Sequence, residues 1–580
     1  MKESLRVGLL LAAVVLIYGN TMRNEFTMDD GLYVVNNPQV TDLSVRELFA
    51  PNKISNVYRP FTFATLALNW AVNGGKPFGF HLVNLLLHAA VTWLLYLLLQ
   101  AILGTSPEAK TSALAAAWLF AVHPIHTEAV ASVVGRSELL AAGFLLAAWI
   151  LHLRDREIPA LICFLLALLS KESAAAFLAL VVVGDYARGE WKQHLRYARI
   201  AGVTLLYIGL IWKVQGGRIG KADVSMLDNT LAVIPAGWRI LNALRVAWKY
   251  AGLQIYPATL SCDYSFNQIP VYLNLRHTLP AAAAAVVAVG AWLWAVRKRR
   301  SGLVLAGGIY LASFATTANI LVPTGTIMGE RLAYLPSAGF CLLVALIWSW
   351  LRDWAPLGGH WNRVRALLGA RWNKDRQRTL AWGVLAALVA ALAMRTVVRN
   401  RDWKNDLVLY AAAVQAAPDS AKMHSNLGNQ YMARGQLDLA RTEFQAALRI
   451  YPDYPDALAS YGLLEGRDGN NEAADKMIER ALNMSRRDNP NYDFMVVNLA
   501  ALRIQTGQMD SALELLNRGI SESPTYARAW SNRAVIRYKR GETASAAADA
   551  EEALRLDPGN MQAQNLMRLL GASGPSASPR

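Results

Sequence analysis

The chain has 580 residues, of which 54% are hydrophobic and 17% are charged, and its mean hydropathy is +0.22. This composition is too apolar for an ordinary soluble protein and predicts several helices that span a membrane. The formal net charge is +16, but residues 401–580 carry 21 basic against 22 acidic residues. The excess therefore lies in short loops of residues 1–400, where it acts as an orientation signal, and we expect no nucleic-acid partner.

Apolar runs in residues 1–400 predict about eleven membrane spans, several of them short enough to be tilted or partly re-entrant. The runs cover residues 5–19, 80–104, 113–134, 139–153, 158–170, 174–185, 200–214, 278–296, 301–321, 336–351 and 380–398. A further run, 241–260, is interrupted by Arg245, Trp248 and Lys249 at helical spacing. This pattern predicts an amphipathic helix that lies on the membrane surface.

Basic clusters indicate how the predicted spans are oriented. With the amino terminus inside and 241–260 not crossing, all three clusters fall on the inner side, at residues 188–199, 297–300 and 363–378. The outer side then carries long polar connections, at residues 20–79, 215–277 and 322–335, and everything after residue 398. Large outer loops on so many spans favour an enzyme or a transporter that works at the membrane surface.

Two adjacent acidic residues, Asp29 and Asp30, follow the first apolar run and should emerge on the outer side. A carboxylate there can act as a general base on a bound acceptor or can hold a cation. The simpler interpretation is that Asp29-Asp30-Gly31 forms a turn or caps a helix after the span. These residues alone leave both interpretations open.

Other ionisable residues occur where burial is costly, and such residues tend to line a functional cavity. His123, His126 and Glu128 interrupt the third run around Pro124. They could bind a metal, but the proline disturbs the helical spacing that would aim them at one point, so we predict no metal site.

Basic residues at the ends of runs fit better as counter-charges for a phosphate or diphosphate. The candidates are Arg136, Lys171 and Arg331. The alternative is that Lys171 with Glu172, and Glu330 with Arg331, form local ion pairs at the membrane interface.

Residues 401–570 follow a different pattern, a period of 34 residues that matches the tetratricopeptide repeat, or TPR. The pattern predicts repeats that start near residues 421, 455, 493 and 527, a terminal helix at 561–570 and a disordered tail at 571–580. We therefore predict a membrane domain at 1–400 and a TPR solenoid at 401–570.

The concave face of a TPR array usually holds an extended peptide, whose backbone can pair with asparagine side chains. Asn426, Asn498 and Asn532 occupy equivalent positions, two residues before a small residue. They are candidates for binding an acceptor peptide. The alternative is that they serve packing between the helices of a repeat.

Several motifs, in chain order, resemble the transmembrane and tetratricopeptide-repeat mannosyltransferases, the TMTC family. The most specific is His123-Pro124-Ile125-His126-Thr127-Glu128 within 119–130, followed by Gly135-Arg136. The other blocks are Tyr58-Arg59-Pro60, Ser170-Lys171-Glu172 and residues 80–88, 260–265, 330–337 and 399–403. The blocks cover nearly the whole chain, and their combination is specific.

The resemblance implies an all-α, polytopic membrane glycosyltransferase of the GT-C type followed by a TPR α-solenoid. Such enzymes move a sugar, mannose in this family, from a polyprenyl- or dolichyl-phosphate donor to Ser or Thr of a protein. By the same likeness, Asp29 or Asp30 would act at the acceptor hydroxyl, and Arg331, with Arg136 or Lys171, would hold the lipid phosphate. Further candidates for lining the cavity are Arg59, His123, His126, Glu128 and Glu330.

Basic side chains can neutralise a phosphate alone, so the resemblance implies no required cofactor, although a divalent cation can also serve such a site. The small number of repeats indicates a bacterial version, in an inner membrane with periplasmic repeats. In a eukaryote the membrane would be that of the ER, with luminal repeats. We expect Asp30→Asn to abolish transfer and to leave the protein folded.

Two other functions stay open. One is a non-catalytic membrane scaffold whose repeats recruit partners. The other is an enzyme of the same fold whose acceptor is a glycan or a lipid, although peptide-binding repeats on the active side argue modestly against it.

Overall fold

The computed structural model describes residues 3–42, 44–50, 57–217, 224–320, 322–353, 374–485, 487, 489 and 491–571. Within these residues the regular secondary structure is helical and no β-strand occurs, which confirms the all-α prediction. The chain forms two compact units, Met1–Pro418 and Asp419–Arg580, called here the membrane unit and the repeat unit. Residues 363–373 of the predicted third basic cluster, and 572–580 of the predicted disordered tail, lie outside the described residues.

The membrane unit contains long apolar helices joined by short helices and turns. Its α-helices are α1 Glu3–Tyr18, α2 Pro38–Thr41, α3 Val45–Leu48, α4 Pro60–Asn73, α5 Pro77–Leu103, α6 Pro107–Val122, α7 Thr127–Ala131, α8 Arg136–Leu153, α9 Glu157–Ser170, α10 Phe177–Arg188, α11 His194–Val214, α12 Ala236–Ile255, α13 Leu275–Arg297, α14 Ser301–Ala315, α15 Pro336–Asp353, α16 Lys374–Asp402 and α17 Asp406–Ala416. The last of these helices belongs to the membrane unit, although its residues lie beyond the predicted domain boundary at residue 400.

Six helical segments among the described residues are long and apolar enough to cross a membrane. They are Glu3–Arg23, Pro77–Leu103, Arg136–Leu153, His194–Val214, Leu275–Arg297 and Asp375–Asp402. Other predicted spans correspond to shorter apolar helices, such as α9 and α14. The structure thus supports a polytopic membrane protein, whereas the count of eleven spans stays a prediction.

The predicted third run, 113–134, does not form one helix. Helix α6 ends at Val122, a turn of 3-10 helix covers Pro124–His126, and α7 is a short separate helix. The residue before a proline is disfavoured in the helical conformation, and His123 is extended, with φ −71° and ψ 126°. The break places Glu128 in the short helix α7, between the long helices α6 and α8.

Close packing between helices of the membrane unit depends on glycine at particular positions. A Cβ atom on Gly184 of α10 would lie 2.6 Å from the Trp149 ring of α8. A Cβ on Gly339 of α15 would lie 2.4 Å from the Ala306 carbonyl oxygen of α14. Interiors are packed to crystal-like density, so larger residues at these positions would force the helices apart.

The repeat unit is a series of helix pairs. Its helices are α18 Ala421–Ala433, α19 Leu437–Ile450, α20 Pro455–Arg467, α21 Asn471–Met484, α22 Tyr492–Gln505, α23 Met509–Glu522, α24 Ala527–Lys539, α25 Thr543–Leu556 and α26 Met561–Leu569. Two residues after the first helix of each pair comes a glycine with a left-handed φ, at Gly435, Gly469, Gly507 and Gly541. Glycine adopts this conformation without the steric cost that a Cβ brings, so it ends each first helix and allows the turn.

Candidate active site

The loop after α1 turns sharply at Met28, just before the two predicted acids. Met28 has a φ of +52°, a conformation that non-glycine residues rarely adopt, and its backbone N–H donates to the Asp406 carboxylate at 2.7 Å. The Asp30 carboxylate accepts the N–H of Thr27 at 3.1 Å. As a result, the side chains of Asp29 and Asp30 lie in different environments.

Asp30 is fully buried and holds the loop against the connection between α7 and α8. The backbone N–H groups of Val133 and Val134 donate to its carboxylate at 3.3 and 2.9 Å, and the Ser132 hydroxyl donates at 3.4 Å. Burial raises the pKa of Asp30 to about 7 against the opposing effect of the N–H donors, and the charge of Asp29 adds to the rise. This geometry favours a structural role for Asp30.

Asp29 instead faces Arg331, with 3.8 Å between a carboxylate oxygen and a guanidinium nitrogen. Their side chains are 35% and 28% exposed, so both can meet a ligand. Glu128 is buried behind Arg331 and accepts from its guanidinium and from its backbone N–H, each at 2.8 Å. Burial raises the pKa of Glu128, although the charge of Arg331 opposes the rise. We call Asp29, Glu128 and Arg331 the acid–arginine cluster.

A second group of charges surrounds the end of α9. Arg59 donates to the two carboxylate oxygens of Glu172 at 3.0 and 2.6 Å, and Lys171 pairs with Glu138. Glu138 lies within electrostatic range of both Arg59 and Arg331. Because Arg59 and Glu172 keep 20% and 55% of their side chains exposed, they are accessible to a polar ligand.

The predicted local ion pairs are therefore replaced by pairs between residues distant in sequence. Lys171 bonds to Glu138 rather than to its neighbour Glu172. Glu330 is buried and accepts the Ser261 N–H at 2.6 Å, while Arg331 pairs with Glu128. The alternative interpretation of Lys171-Glu172 and Glu330-Arg331 as adjacent ion pairs was wrong, because the breaks between helices turn neighbouring side chains toward different elements.

Glu330 and Arg399 form a further buried group. The Tyr264 hydroxyl donates to Glu330 at 2.8 Å, and the carboxylate lies 3.7 Å from the Arg399 guanidinium, which also bonds to Asp402. Burial raises the pKa of Glu330 to about 7, although Arg399 opposes the rise. Its contacts hold Glu330, the residue before Arg331, in position.

Arg136 is fully buried and already hydrogen bonded to the chain. It donates to the Asn84 and Asn69 side chains at 3.0 and 2.7 Å and to the carbonyl oxygens of Thr65 and Phe80, each at 3.1 Å. Few of its donors are left for a phosphate. The geometry favours a structural role for Arg136 between α4, α5 and α8.

His123 and His126 are buried and engaged with different partners. The Nε2 atom of His123 lies 3.0 Å from the Gln254 carbonyl oxygen, and that of His126 lies 2.7 Å from the Ser337 hydroxyl. In the part of the chain that the structure describes, no three His, Cys, Asp or Glu residues are grouped as metal ligands.

The three candidate asparagines of the repeat unit differ in their contacts. Asn532 is buried and its amide donates to the Val497 carbonyl at 3.3 Å, so it joins consecutive repeats. The Asn498 amide donates to the Phe494 carbonyl of its own helix at 2.7 Å. Asn426 is half-buried. Packing therefore explains Asn532 best, whereas Asn426 and Asn498 keep more exposed surface.

Three charged residues near the cluster were not predicted as site residues: Glu138, Glu172 and Arg399. The first two each stand within two residues of a predicted basic residue, in Arg136-Ser137-Glu138 and Lys171-Glu172. Their position next to a basic residue that was predicted to bind phosphate could have indicated that they belong to the site. Arg399 lies at the end of an apolar run, where charged residues are expected to have a partner.

The fold and these charges define a polytopic helical membrane protein with a charged, partly accessible cluster and a TPR array. Residues 419–487 and 497–560 match two family models, each described as tetratricopeptide repeat. The solved structure of YrrB, a TPR protein with an unusual peptide-binding site, is 19% identical over 32% of this chain and 91% of that one. The TM-score of this comparison is 0.24.

The chain has homologues among proteins named protein O-mannosyl-transferase. It is 29% identical over 464 residues to F38B6.6 of Caenorhabditis elegans and 26% identical over 613 residues to mouse TMTC3. These alignments cover 77% and 96% of this chain, but the chain spans only 63% and 64% of the two relatives. The resemblance to TMTC-type proteins is thereby confirmed.

Proposed function

We propose that this chain is a membrane glycosyltransferase that moves mannose from a polyprenyl-phosphate donor to Ser or Thr of a protein. The names of its relatives support the reaction class. The observation that carries the proposal is the accessible pair of Asp29 and Arg331, in which a base and a phosphate anchor face each other.

In the proposed step, the Asp29 carboxylate takes the proton of the acceptor hydroxyl. The acceptor oxygen forms a bond to the anomeric carbon while the bond from that carbon to the phosphate oxygen breaks. The electron pair leaves with the polyprenyl phosphate, and Arg331 stabilises its charge. The products are the glycosylated protein, the lipid phosphate and a protonated Asp29.

The 3.8 Å between Asp29 and Arg331 is too short for a sugar to fit between them. We infer that the donor phosphate displaces Asp29 from the guanidinium and thereby frees the carboxylate to act as a base. Glu128 would hold Arg331 in place during this exchange, because it also bonds to the Arg331 backbone N–H. Binding of the donor would thus activate the base.

Asp29 suits the role of base better than Asp30. The Asp30 carboxylate accepts from four donors and has no exposed surface. A general base must reach the proton that it removes. The sequence-based expectation that Asp30→Asn abolishes transfer without affecting the fold therefore becomes a proposal for Asp29.

The remaining site roles follow from accessibility. We propose that the partly exposed Arg59 and Glu172 bind polar groups of the sugar or acceptor, whereas Lys171 is paired with Glu138. We expect no metal requirement, because Arg331 can neutralise one phosphate; EDTA should leave the rate unchanged. We propose that the repeats bind the acceptor, and that they and Asp29 lie on the extracytoplasmic side of a bacterial inner membrane.

The test uses purified full-length protein, polyprenyl-phosphate mannose and a Ser/Thr-rich peptide, with transfer measured by mass spectrometry of the peptide. We expect a mass increase of one hexose with the wild type and none with Asp29→Asn. A matched control is Asp42→Asn, an exposed acid of the same loop. Hexose found only on added glycan or lipid would assign a different acceptor, and no transfer to any acceptor would support a scaffold.

A further inference from the structure

A separate cavity of about 480 Å³ lies between α12 and α13. Its polar wall contains Arg245 and Lys249 of α12 and His277 from the first turn of α13. Further along α13 the lining residues are Pro280, Ala281 and Ala284, which are apolar and small. The cavity is therefore cationic along one part and apolar along the other.

The two cations stand one helical turn apart and are held by aromatic rings. The Arg245 guanidinium lies 4.3 Å from the centre of the Tyr272 ring, and the Lys249 ammonium lies 5.2 Å from that of Tyr264. Among the ion pairs of the described residues, none includes Arg245 or Lys249. Burial and the nearby Arg245 both lower the pKa of Lys249. Two like charges without a carboxylate partner favour the binding of an anion.

The cavity belongs to elements expected at the membrane boundary. Helix α12 is amphipathic, and its Trp248, which also lines the cavity, is 63% exposed. Helix α13 is a candidate span whose apolar surface is almost entirely uncovered. Aromatic and basic side chains of amphipathic helices lie at the level of lipid headgroups.

We propose that this cavity binds an anionic phospholipid of the surrounding bilayer. The lipid phosphate would lie between Arg245 and Lys249, and an acyl chain would follow Pro280, Ala281 and Ala284 along α13. An amphiphile with an anionic head matches both parts of the lining, whereas a free phosphate would leave the apolar part empty. The site is distinct from the acid–arginine cluster and does not depend on the proposed transfer reaction.

Bound lipid would also support the connection that carries Arg331. The Tyr250 hydroxyl, next to Lys249, accepts the Gly329 N–H and donates to the Gly329 carbonyl, both at 2.9 Å. Tyr264, under the Lys249 ammonium, donates to Glu330. Filling the cavity should therefore raise the melting temperature of the membrane unit, as any ligand of the folded state does.

The experiment titrates short-chain phosphatidylglycerol into the purified full-length protein and measures bound lipid by native mass spectrometry. We expect it to bind at least ten-fold more tightly than phosphatidylcholine of the same chain length, a difference of about 1.4 kcal/mol. The double variant Arg245→Gln, Lys249→Gln should lose this preference. The control Arg297→Gln, Lys298→Gln removes the same charge at the other end of α13 and should keep it.

A second variant keeps the proposal testable if the charge variant fails to fold. Ala284→Trp narrows the apolar part without changing charge and should weaken binding at least ten-fold, whereas Ala291→Trp, on an exposed part of α13, should not. Asp29→Asn should bind the lipid normally, which separates this site from the proposed reaction.

Three results would overturn the proposal. One is an unchanged preference for phosphatidylglycerol in the Arg245, Lys249 double variant. Another is displacement of the phospholipid by inorganic phosphate at equal concentration, which would indicate a free-anion site. The third is displacement by polyprenyl phosphate at lower concentration, which would assign the cavity to the donor.

Discussion

The membrane unit and the repeat unit both contain arginine–carboxylate pairs, but the pairs differ in how completely their hydrogen bonds are used. In the repeat unit, Arg503 bonds to both oxygens of Asp475 at 2.8 and 2.9 Å, and also to Glu479 and Ser511. In the membrane unit, Arg331 lies 3.8 Å from Asp29, and both remain accessible. The first is a closed structural pair, and the second can exchange its partner for a ligand.

The same distinction separates arginines within the membrane unit. Arg136 and Arg331 were both predicted to hold a phosphate, yet Arg136 is buried and bonded to four groups of the chain. A guanidinium has five N–H donors in a fixed geometry. Donors already committed to the chain cannot bind substrate without breaking the packing around them. Substitutions in the accessible pair, in the buried carboxylates and in the repeat unit test this distinction.

Asp29→Asn should reduce transfer by about 10³-fold, because general-base catalysis typically contributes 10²–10⁴. The melting temperature should change little, since the side chain is partly exposed and its pair with Arg331 is long. The measurement is the initial rate of hexose transfer to peptide. A rate equal to that of the Asp42→Asn control would remove Asp29 from the mechanism.

Arg331→Gln should reduce transfer by about 10²-fold through loss of charge stabilisation on the leaving phosphate. The variant also carries Glu128→Gln, because removing Arg331 alone would leave the buried Glu128 carboxylate without its partner. Arg331→Lys should recover part of the activity with a raised KM for the donor. Full activity in the Gln variant would show that the open pair is not the phosphate site.

Asp30→Asn should cost about 2 kcal/mol of stability at pH 5, because an amide nitrogen would face backbone N–H groups that now have an acceptor. Burial raises the pKa of folded Asp30 to about 7, above its value of about 4 in the unfolded chain. Between about pH 4 and about pH 7 the folded protein therefore keeps a proton on Asp30 that the unfolded chain has released. Wild-type stability should therefore fall as the pH rises from about 4 to about 7. In thermal unfolding the Asp30→Asn variant should lose less stability over this pH range. If stability fell equally with pH in the variant and the wild type, Asp30 would not be the titrating group.

Arg503→Gln should destabilise the repeat unit by about 2 kcal/mol, since it removes charge-assisted hydrogen bonds to Asp475 and Glu479. The side chain is 9% exposed, so water replaces these bonds poorly. Transfer to a small hydroxyl acceptor should be unaffected. Circular dichroism of the full chain gives the unfolding change, and Arg528→Gln, at an exposed position of α24 in the same unit, serves as a control substitution.

Glu472→Gln should have no measurable effect on the melting temperature. Glu472 pairs with Lys476 on the exposed surface of α21, where water and salt screen the charges. If Glu472→Gln lowered the melting temperature as much as Arg503→Gln does, exposure would not explain which ion pairs stabilise the repeat unit.

Sequence reasoning succeeded where the signal is local. The period of 34 residues predicted helix pairs near 421, 455, 493 and 527, and helices begin at Ala421, Pro455, Tyr492 and Ala527. Apolar runs predicted the long helices, and the interrupted run at 241–260 corresponds to α12. The run at 113–134 counted as one predicted span with an interruption around Pro124, and the structure divides it into α6, a 3-10 turn and α7.

The site was predicted less completely. Asp29, Glu128 and Arg331 were all named as candidates. Glu128 and Arg331 are 203 residues apart, so their pairing could not be predicted from spacing in the sequence. The assignment of Arg136 to a phosphate had the same weakness, because its four hydrogen-bond partners belong to two other helices, α4 and α5.

The helices, the repeats and the charged residues at helix ends could be predicted from the sequence, because each of these depends on neighbouring residues or on composition. The tertiary structure was needed to show which carboxylate meets which arginine and which of the two adjacent acids stays accessible, because hydrogen bonding and burial depend on the packing of distant elements. The same side chain becomes structural when its donors are satisfied and is available for chemistry when they are not.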